Sequence, residues 1–462
     1  MKYISTRGNV HPIDFQDAVL MGLADDGGLV IPRDIPDVRG KLDAWRSLPY
    51  NELAMEVIRL FATDLPAADL RAMIDRAYSR SVFDPAVAPV AKAGSVHILE
   101  LWHGPTLAFK DVALQLLGNL FEYILARRGG ELNILGATSG DTGSAAIYGV
   151  RGRKGIRIFV MHPHGRTSPI QERQMTTVLD ANVHNIAVEG SFDDCQRIMK
   201  DLAGDLEFKR QYSLGAVNSV NWARVLAQIV YYFSAAFDVQ KATATAAVRV
   251  AVPTGNFGDV LAGWYAMQMG APISQLILAT NVNDILSRFF NTGVYSQGAV
   301  VQTTSPSMDI QVASNFERYL YHKVGCDSGR LNALMTQFAK TGSLSVPVKA
   351  GEGVDAGFAA GAATEQQVLD TIGRYWANHH YLLDPHTAVG VAVAERLAAG
   401  PEPVICLATA HGAKFPDAIR RATGQDIARH PLIDALMHLP TRCAVLPNDK
   451  QRVREFIAKT IG

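Results

Sequence analysis

The stretch LNILGATSGDTGSAAI, Leu132 to Ile147, reads as a short apolar strand, a loop of small and hydroxyl-bearing residues, and the start of a helix. The same grain recurs on both sides of it. IRIFVM, Ile156 to Met161, runs toward a helical stretch that begins at Ser168, and VHNIAV, Val183 to Val188, precedes one from Phe192 to Leu202. VRVAV, Val248 to Val252, leads into a glycine-rich turn and a helix from Asp259 to Met269, and PVICLAT, Pro403 to Thr409, leads into AHGAKF and a helix near Asp417. Short apolar strands alternating with helices predict an α/β chain whose parallel sheets are covered on both faces. Such sheets bind ligands at the carboxyl ends of their strands, so the loops after the strands are where chemistry is expected.

Upstream the grain differs. Asn51 is placed to cap a helix with Leu53, Val57, Ile58 and Phe61 on its apolar side, and Asp64 and Pro66 open a second with Leu70, Met73, Ile74, Ala77 and Tyr78. Strand signals are sparse there, so residues 1–93 are expected to form a mostly helical N-terminal domain. Composition sets further bounds. The 462 residues are 48% hydrophobic, and 44 Lys+Arg balance 44 Asp+Glu, which excludes a disordered chain and gives no charge to attract phosphate backbones or anionic lipid. The longest apolar run, Val225 to Phe237, contains Gln228 and Ser234 and suits a buried helix rather than a membrane span. The N-terminal MKYISTRGNVHP has no apolar core of a signal peptide. Cys195, Cys326, Cys406 and Cys443 lie too far apart for a zinc site or a dense disulfide framework, so a reduced cytoplasm is the expected home.

Four loops can carry chemistry. In HGPTLAFKDVALQLLGNL, His103 to Leu120, Lys110 opens a helix. The positive end of the helix dipole and apolar neighbours disfavour an ammonium there, and a lowered pKa is what a Schiff-base lysine requires. A solvated lysine at a helix start is the other reading. Ser139-Gly140-Asp141-Thr142-Gly143 offers hydroxyls and backbone N–H groups at a helix N-terminus, an anion site or an ordinary turn capped by Asp141 or Thr142. PTGNFGD, Pro253 to Asp259, can wrap an oxyanion with two glycines, yet it is neither a Walker loop nor a dinucleotide fingerprint. VNSVNWARV, Val217 to Val225, gathers Asn218, Ser219 and Arg224, a set suited to phosphate or carboxylate but also found on ordinary helix starts. His162 and His164 read as loop residues and no metal site is expected; Asp384-Pro385-His386 reads as a turn rather than an acid–base pair.

The order of these loops, with Ala408-Thr409-Ala410-His411-Gly412 after the last strand, resembles the fold type II pyridoxal-phosphate enzymes. TSGDTGSAA carries Asp where the dehydratases usually have Asn. Together with SPSMDIQVASNFER (Ser305 to Arg318), LLDPHTAVG (Leu382 to Gly390) and the N-terminal STRG…FQDAVLMGLADDGGLVIP (Ser5 to Pro32), it resembles the threonine synthase family in its longer bacterial and fungal branch. The resemblance implies two parallel-sheet domains behind the helical N-terminal one. The large cofactor-binding domain would take residues 94–132 and 220–462. The small α/β domain, residues 133–219, would carry the substrate-carboxylate loop.

The resemblance also implies roles. Lys110 would be the catalytic lysine, forming the internal aldimine with pyridoxal 5′-phosphate. Gly255, Asn256, Phe257 and Gly258 would hold the cofactor phosphate. Thr409 would lie beside the pyridine nitrogen, and Asp141 beside the phenolic oxygen. Ser139, Gly140 and Thr142 would take the substrate carboxylate, and Asn218, Ser219 and Arg224 the substrate phosphate. The implied reaction converts O-phospho-L-homoserine and water to L-threonine and phosphate. The expected partner is that small molecule, not nucleic acid or membrane, and the expected assembly is a monomer or homodimer. The rivals are another enzyme of the fold type, such as a serine/threonine dehydratase, and a non-catalytic relative that only binds.

Overall fold

A computed structural model describes residues 1–138, 140–215, 219–348, 352–397 and 400–462. Two parallel sheets organise it, as the alternating pattern predicts. The larger has six strands in the order Phe358–Ala362, Ile273–Thr280, Val248–Pro253, Val404–Ala408, Val96–Glu100 and Val90–Ala93, all parallel except the last, which pairs antiparallel with its neighbour. The smaller has five parallel strands in the order Ala444–Pro447, Val183–Glu189, Ile156–Pro163, Leu132–Ala137 and Leu214–Gly215.

The central strands are buried along their whole length, VRVAVP and VICLA alike, which is why they read as unbroken apolar runs rather than alternating ones. Their side chains still divide between the faces. Val250, Val252, Ile405 and Leu407 join one core with the helices Lys110–Arg128, Trp222–Thr243 and Gly258–Met269. Ala251, Ile277 and Cys406 join another with the helices Glu365–His379 and Pro385–Leu397. The run around Val225 to Phe237 is the buried heart of the 22-residue helix Trp222–Thr243, and no described helix is long and apolar enough to cross a membrane.

The N-terminal stretch does not keep a core to itself. Its helices Phe15–Met21, Tyr50–Ile58 and Ala67–Ala77, and the two-stranded sheet Tyr3–Ser5 with Val30–Pro32, share the first core of the large sheet. Trp222 packs against Phe61 at 5.8 Å and Tyr3 at 6.2 Å between ring centroids. The first of the two expected caps fails: the helix Tyr50–Ile58 starts after Pro49 without a side-chain cap, and Asn51 instead donates to Asp75. Asp64 accepts from Gln16 rather than opening the next helix, which begins after Pro66. The expected boundary at residue 94 runs through a hairpin, because Val90–Ala93 pairs with Val96–Glu100. The expectation that residues 220–462 lie wholly with the large sheet is corrected at the C-terminus. The chain crosses over, adds Ala444–Pro447 to the edge of the small sheet, and lays Val453 and Ile457 of its last helix onto that sheet's outer core.

Helix Lys110–Arg128 joins the two sheets, since it leaves the large one and delivers the chain to the first strand of the small one. It touches helix Asp141–Val150 backbone to backbone. A Cβ on Gly118 would lie 1.9 Å from the Gly149 carbonyl oxygen, and one on Gly149 would lie 2.5 Å from that of Leu114. Only glycine fits such an approach.

Candidate active site

The loop before Lys110 is bolted in place from two sides. Asp111 accepts from the Thr106 backbone N–H and hydroxyl, each at 2.8 Å, closing the loop on its own helix start. Burial pushes the Asp111 carboxyl up to about 6, even though the Thr106 bonds favour its charged form. Across the sheet, the Phe109 N–H donates to the Thr409 carbonyl at 2.8 Å, and Ala108 bridges to Ala410. Thus Thr409, expected beside a ring nitrogen and placed just after strand Val404–Ala408, is tied to the residue that precedes Lys110.

Lys110 is buried and opens its helix as expected. Its amine lies 3.7 Å from Asp141 Oδ2 and 4.7 Å from the centre of the Phe109 ring. Burial holds its pKa below the usual lysine value, with Asp141 opposing and the charges of Lys414 and Arg224 adding to the depression. Asp141 begins the helix Asp141–Val150 after Gly140 and is no cap. Its Oδ1 accepts from Lys414 Nζ at 2.7 Å and Gln171 Nε2 at 2.9 Å. Burial alone would raise its pKa, but the two lysines hold it well below the carboxylate range.

The loop around Gly140 is shaped by Thr138, whose hydroxyl accepts from the N–H groups of Gly140 and Gly143, each at 3.0 Å. A Cβ on Gly140 would lie 2.4 Å from the Gln171 side chain. Thr142, half-buried, follows in the first helical turn. Ser139 and Asn218 lie outside the described residues.

The glycine-rich loop after Val248–Pro253 ends in a left-handed Phe257, φ 63°, which caps the 12-residue helix Gly258–Met269. Its ring leaves the site and packs into the core against Phe290, Phe316 and Tyr319, so only its backbone can serve a ligand. Gly255 faces the Ser305–Met308 segment, where a Cβ would lie 2.7 Å from the Ser307 carbonyl oxygen. Exposed Asn256 and the half-buried Gly255 and Gly258 line the open side, at a helix end that leaves its first N–H groups without helical partners. Asn315 fixes this loop by donating its backbone and side-chain N–H to the Asn256 carbonyl and its amide also to the Ser219 carbonyl. Ser219 therefore stands beside the loop, its hydroxyl bonded to Ser314 at 2.7 Å.

Arg224 lies in the first turn of helix Trp222–Thr243 and is buried, not on the surface. Its Nη1 finds no partner among the described residues, and burial lowers its pKa to about 10. A buried donor without an acceptor is costly, and an anionic ligand would satisfy it. A glycine cradle at a helix start, a buried guanidinium whose Nη1 has no partner among the described residues and a buried amine of lowered pKa fit pyridoxal phosphate and a further anion.

Several residues of the site were not singled out in the sequence. Lys414 stands in the AHGAKF loop with its side chain fully enclosed, and it donates to the Thr106 carbonyl at 2.8 Å. Its signal was a lysine inside a short apolar run after a strand end. Gln171 and Asn315 had no such signal. Asp259, in the same motif as Gly258, accepts from Tyr231 and Tyr232 hydroxyls at 2.5 and 2.9 Å while burial pushes it up to about 6. Two expectations are corrected. His162 is no loop residue but a buried position near the end of strand Ile156–Pro163, where burial lowers it to about 4. Asp384 and His386 do pair, Oδ1 to Nδ1 at 2.9 Å, at the start of helix Pro385–Leu397.

Comparison with known proteins places this arrangement. Residues 2–78 match the family described as "Threonine synthase N terminus", residues 87–362 "Pyridoxal-phosphate dependent enzyme", and residues 387–457 "Threonine synthase, C-terminal". Threonine synthase of Pseudomonas aeruginosa is 46% identical, over 99% of this chain and 98% of that protein. The crystal structure of threonine synthase from Brucella melitensis with bound pyridoxal phosphate is 45% identical, with a TM-score of 0.95 and coverage of 100% of this chain and 99% of that one. That of threonine synthase from yeast is 40% identical, with a TM-score of 0.94 and coverage of 100% and 98%.

Proposed function

The chain belongs to the threonine synthase family, and from that premise we propose that it is a pyridoxal-phosphate-dependent carbon–oxygen lyase that converts O-phospho-L-homoserine and water to L-threonine and phosphate. The observation that carries the reading is the meeting of one buried amine, Lys110, with a glycine cradle for one phosphate and a buried Arg224, whose Nη1 has no partner among the described residues, for another. When bound, pyridoxal phosphate supplies an electron sink for the substrate carbons.

The backbone N–H groups of Gly255, Asn256, Phe257 and Gly258 would hold the cofactor phosphate at the start of helix Gly258–Met269. Thr409 would stand by the ring nitrogen and Asp141 by the phenolic oxygen. Gly140 and Thr142, with Ser139, receive the substrate carboxylate. Arg224 and Ser219, with Asn218, receive the substrate phosphate on Cγ, which fixes the scissile C–O bond relative to the amine. Lys110 Nζ then takes the α proton and moves protons among the substrate carbons, a task suited to an amine of lowered pKa. Enclosure of Lys110, Asp141 and Lys414 keeps bulk water from these protons until phosphate has left.

The test is turnover of O-phospho-L-homoserine by the cofactor-loaded protein, with phosphate and threonine measured together. Equal release of both is expected. Ammonia from serine or threonine without use of the phosphorylated substrate would move the chain to the dehydratases, and binding without any turnover would make it a non-catalytic relative.

A further inference from the structure

Two lysines face one carboxylate in a site closed to solvent. Lys414 Nζ is 2.7 Å from Asp141 Oδ1, and Lys110 Nζ is 3.7 Å from Oδ2; their side chains are 0% and 10% exposed. The two are not equally held. Lys414 has a second acceptor in the Thr106 carbonyl, whereas Lys110 meets the face of the Phe109 ring. The remaining charged groups around Lys110 pull in both directions. Arg224, from helix Trp222–Thr243, adds positive charge. Asp259, from helix Gly258–Met269, attracts the Lys110 charge but is itself held by two tyrosine hydroxyls. Asp111, next along the chain, is engaged by Thr106, and His386 bears on Asp141. Two ammonium groups and a guanidinium converge where the Asp141 carboxylate is the acceptor that both lysines reach, and a proton is lost from the cation held least.

We propose that Lys414 is a positioning residue that keeps Lys110 an uncharged amine by occupying the Asp141 carboxylate as its lasting counter-cation. Lys110 is thereby relieved of the ion pair that a lone buried aspartate would impose on it. Without Lys414, Asp141 would draw Lys110 into a full ion pair and hold its nitrogen lone pair as N–H⁺. The inference rests on the reading of Lys110 as the amine that bonds the cofactor's aldehyde carbon.

Capture of pyridoxal 5′-phosphate by the cofactor-free, full-length protein tests it. The neutral amine attacks the aldehyde carbon, water leaves, and borohydride reduces the C=N bond to a stable secondary amine. Peptide mass spectrometry locates the adduct, and the capture rate is followed from about pH 6 to pH 10, which brackets a depressed lysine. In the wild type the adduct is expected on Lys110. Lys414→Met should move the midpoint of the rate profile up by about 1–2 pH units, the scale of a nearby charge. Lys414→Gln, which keeps a donor in place without charge, should do the same and decides the matter if the Met variant misfolds. Lys414→Arg should leave the midpoint near that of the wild type, and adding Asp141→Asn to Lys414→Met should bring it back down. A lower capture rate at every pH with an unmoved midpoint is the mark of a merely structural lysine and overturns the proposal alone. An adduct on a residue other than Lys110 in the wild type overturns the reading of Lys110 and this proposal with it.

Discussion

Substituting Gly118→Ala tests whether the contact between helices Lys110–Arg128 and Asp141–Val150 sets the geometry of the site. Two effects oppose each other. Alanine favours a helix over glycine by about 1 kcal/mol, so an uncrowded site would gain stability. Here the new Cβ would lie 1.9 Å from the Gly149 carbonyl oxygen and 2.8 Å from its carbonyl carbon. Ordinary contact begins near 3.4 Å, so the helices must separate by more than 1 Å, and a backbone oxygen has no rotamer with which to yield. Overpacking costs about 1–3 kcal/mol, and a clash with backbone belongs at the upper end, so the net loss is about 2 kcal/mol once helix propensity is subtracted. The same displacement moves Lys110 relative to Asp141, since each begins one of the two helices. A shift of about 1 Å at a reacting centre costs on the order of 100-fold in rate. The assay pairs a thermal unfolding midpoint with steady-state phosphate release. Gly40→Ala, where a Cβ meets nothing within 4 Å, is the control and should change neither. A Gly118→Ala protein with wild-type midpoint and turnover would refute the idea that this contact gauges the site.

Further outcomes follow from the same geometry. Lys110→Ala should abolish turnover while leaving the unfolding midpoint near that of the wild type, and any retained wild-type turnover removes it from the chemistry. Arg224→Ala should lower kcat/KM for O-phospho-L-homoserine by roughly 30-fold to several thousand-fold, because a buried charge-assisted contact is worth about 2–5 kcal/mol; cofactor affinity should barely change, and near-normal kcat/KM would revive the dehydratase reading. Gly255→Ala should weaken pyridoxal-phosphate binding in an absorbance titration, because its Cβ would press on the Ser307 carbonyl; unchanged affinity would take the phosphate off this loop. Asp259 is raised from 3.8 to about 6, so the folded state holds its proton more tightly than the unfolded one, and the stability this gives is present below about pH 4 and lost as pH rises through about 6. Asp259→Asn keeps an acceptor for both tyrosines without the charge, so its unfolding midpoint relative to the wild type should climb between pH 4.5 and 7.5; a constant difference would mean that Asp259 does not titrate there.

The sheets were legible because their strands are buried on both faces, which turns VRVAV and VICLA into unbroken apolar runs that no surface strand would show. The C-terminal strand Ala444–Pro447 was not, since an edge strand of four residues that is nowhere fully buried carries too little pattern to stand out. Within the site, Lys110, Gly140 and the 255–258 loop could be read because each lies where a strand hands over to a helix. Lys414 could not, because its meaning is its partner: Asp141 lies in another sheet's loop, and local sequence holds no record of that encounter. Burial hid Arg224 in the same way, as a helix-start arginine looks solvated until the fold encloses it. The caps expected at Asn51 and Asp64 failed because both side chains found partners in neighbouring segments.

Arg318, wholly buried, donates to the carbonyls of Val30 and Val220 and to the Asn315 side chain. This guanidinium meets its first acceptor across 288 positions of sequence. On a ribosome adding about 5–20 residues per second, the strand Val30–Pro32 would wait about 15–60 s for Arg318 to be made. Until then the Val30 carbonyl lacks the guanidinium that holds it in the finished protein. Synthesis thus separates by most of the chain two groups that the fold sets in direct contact, and this lock on the strand Val30–Pro32 closes late.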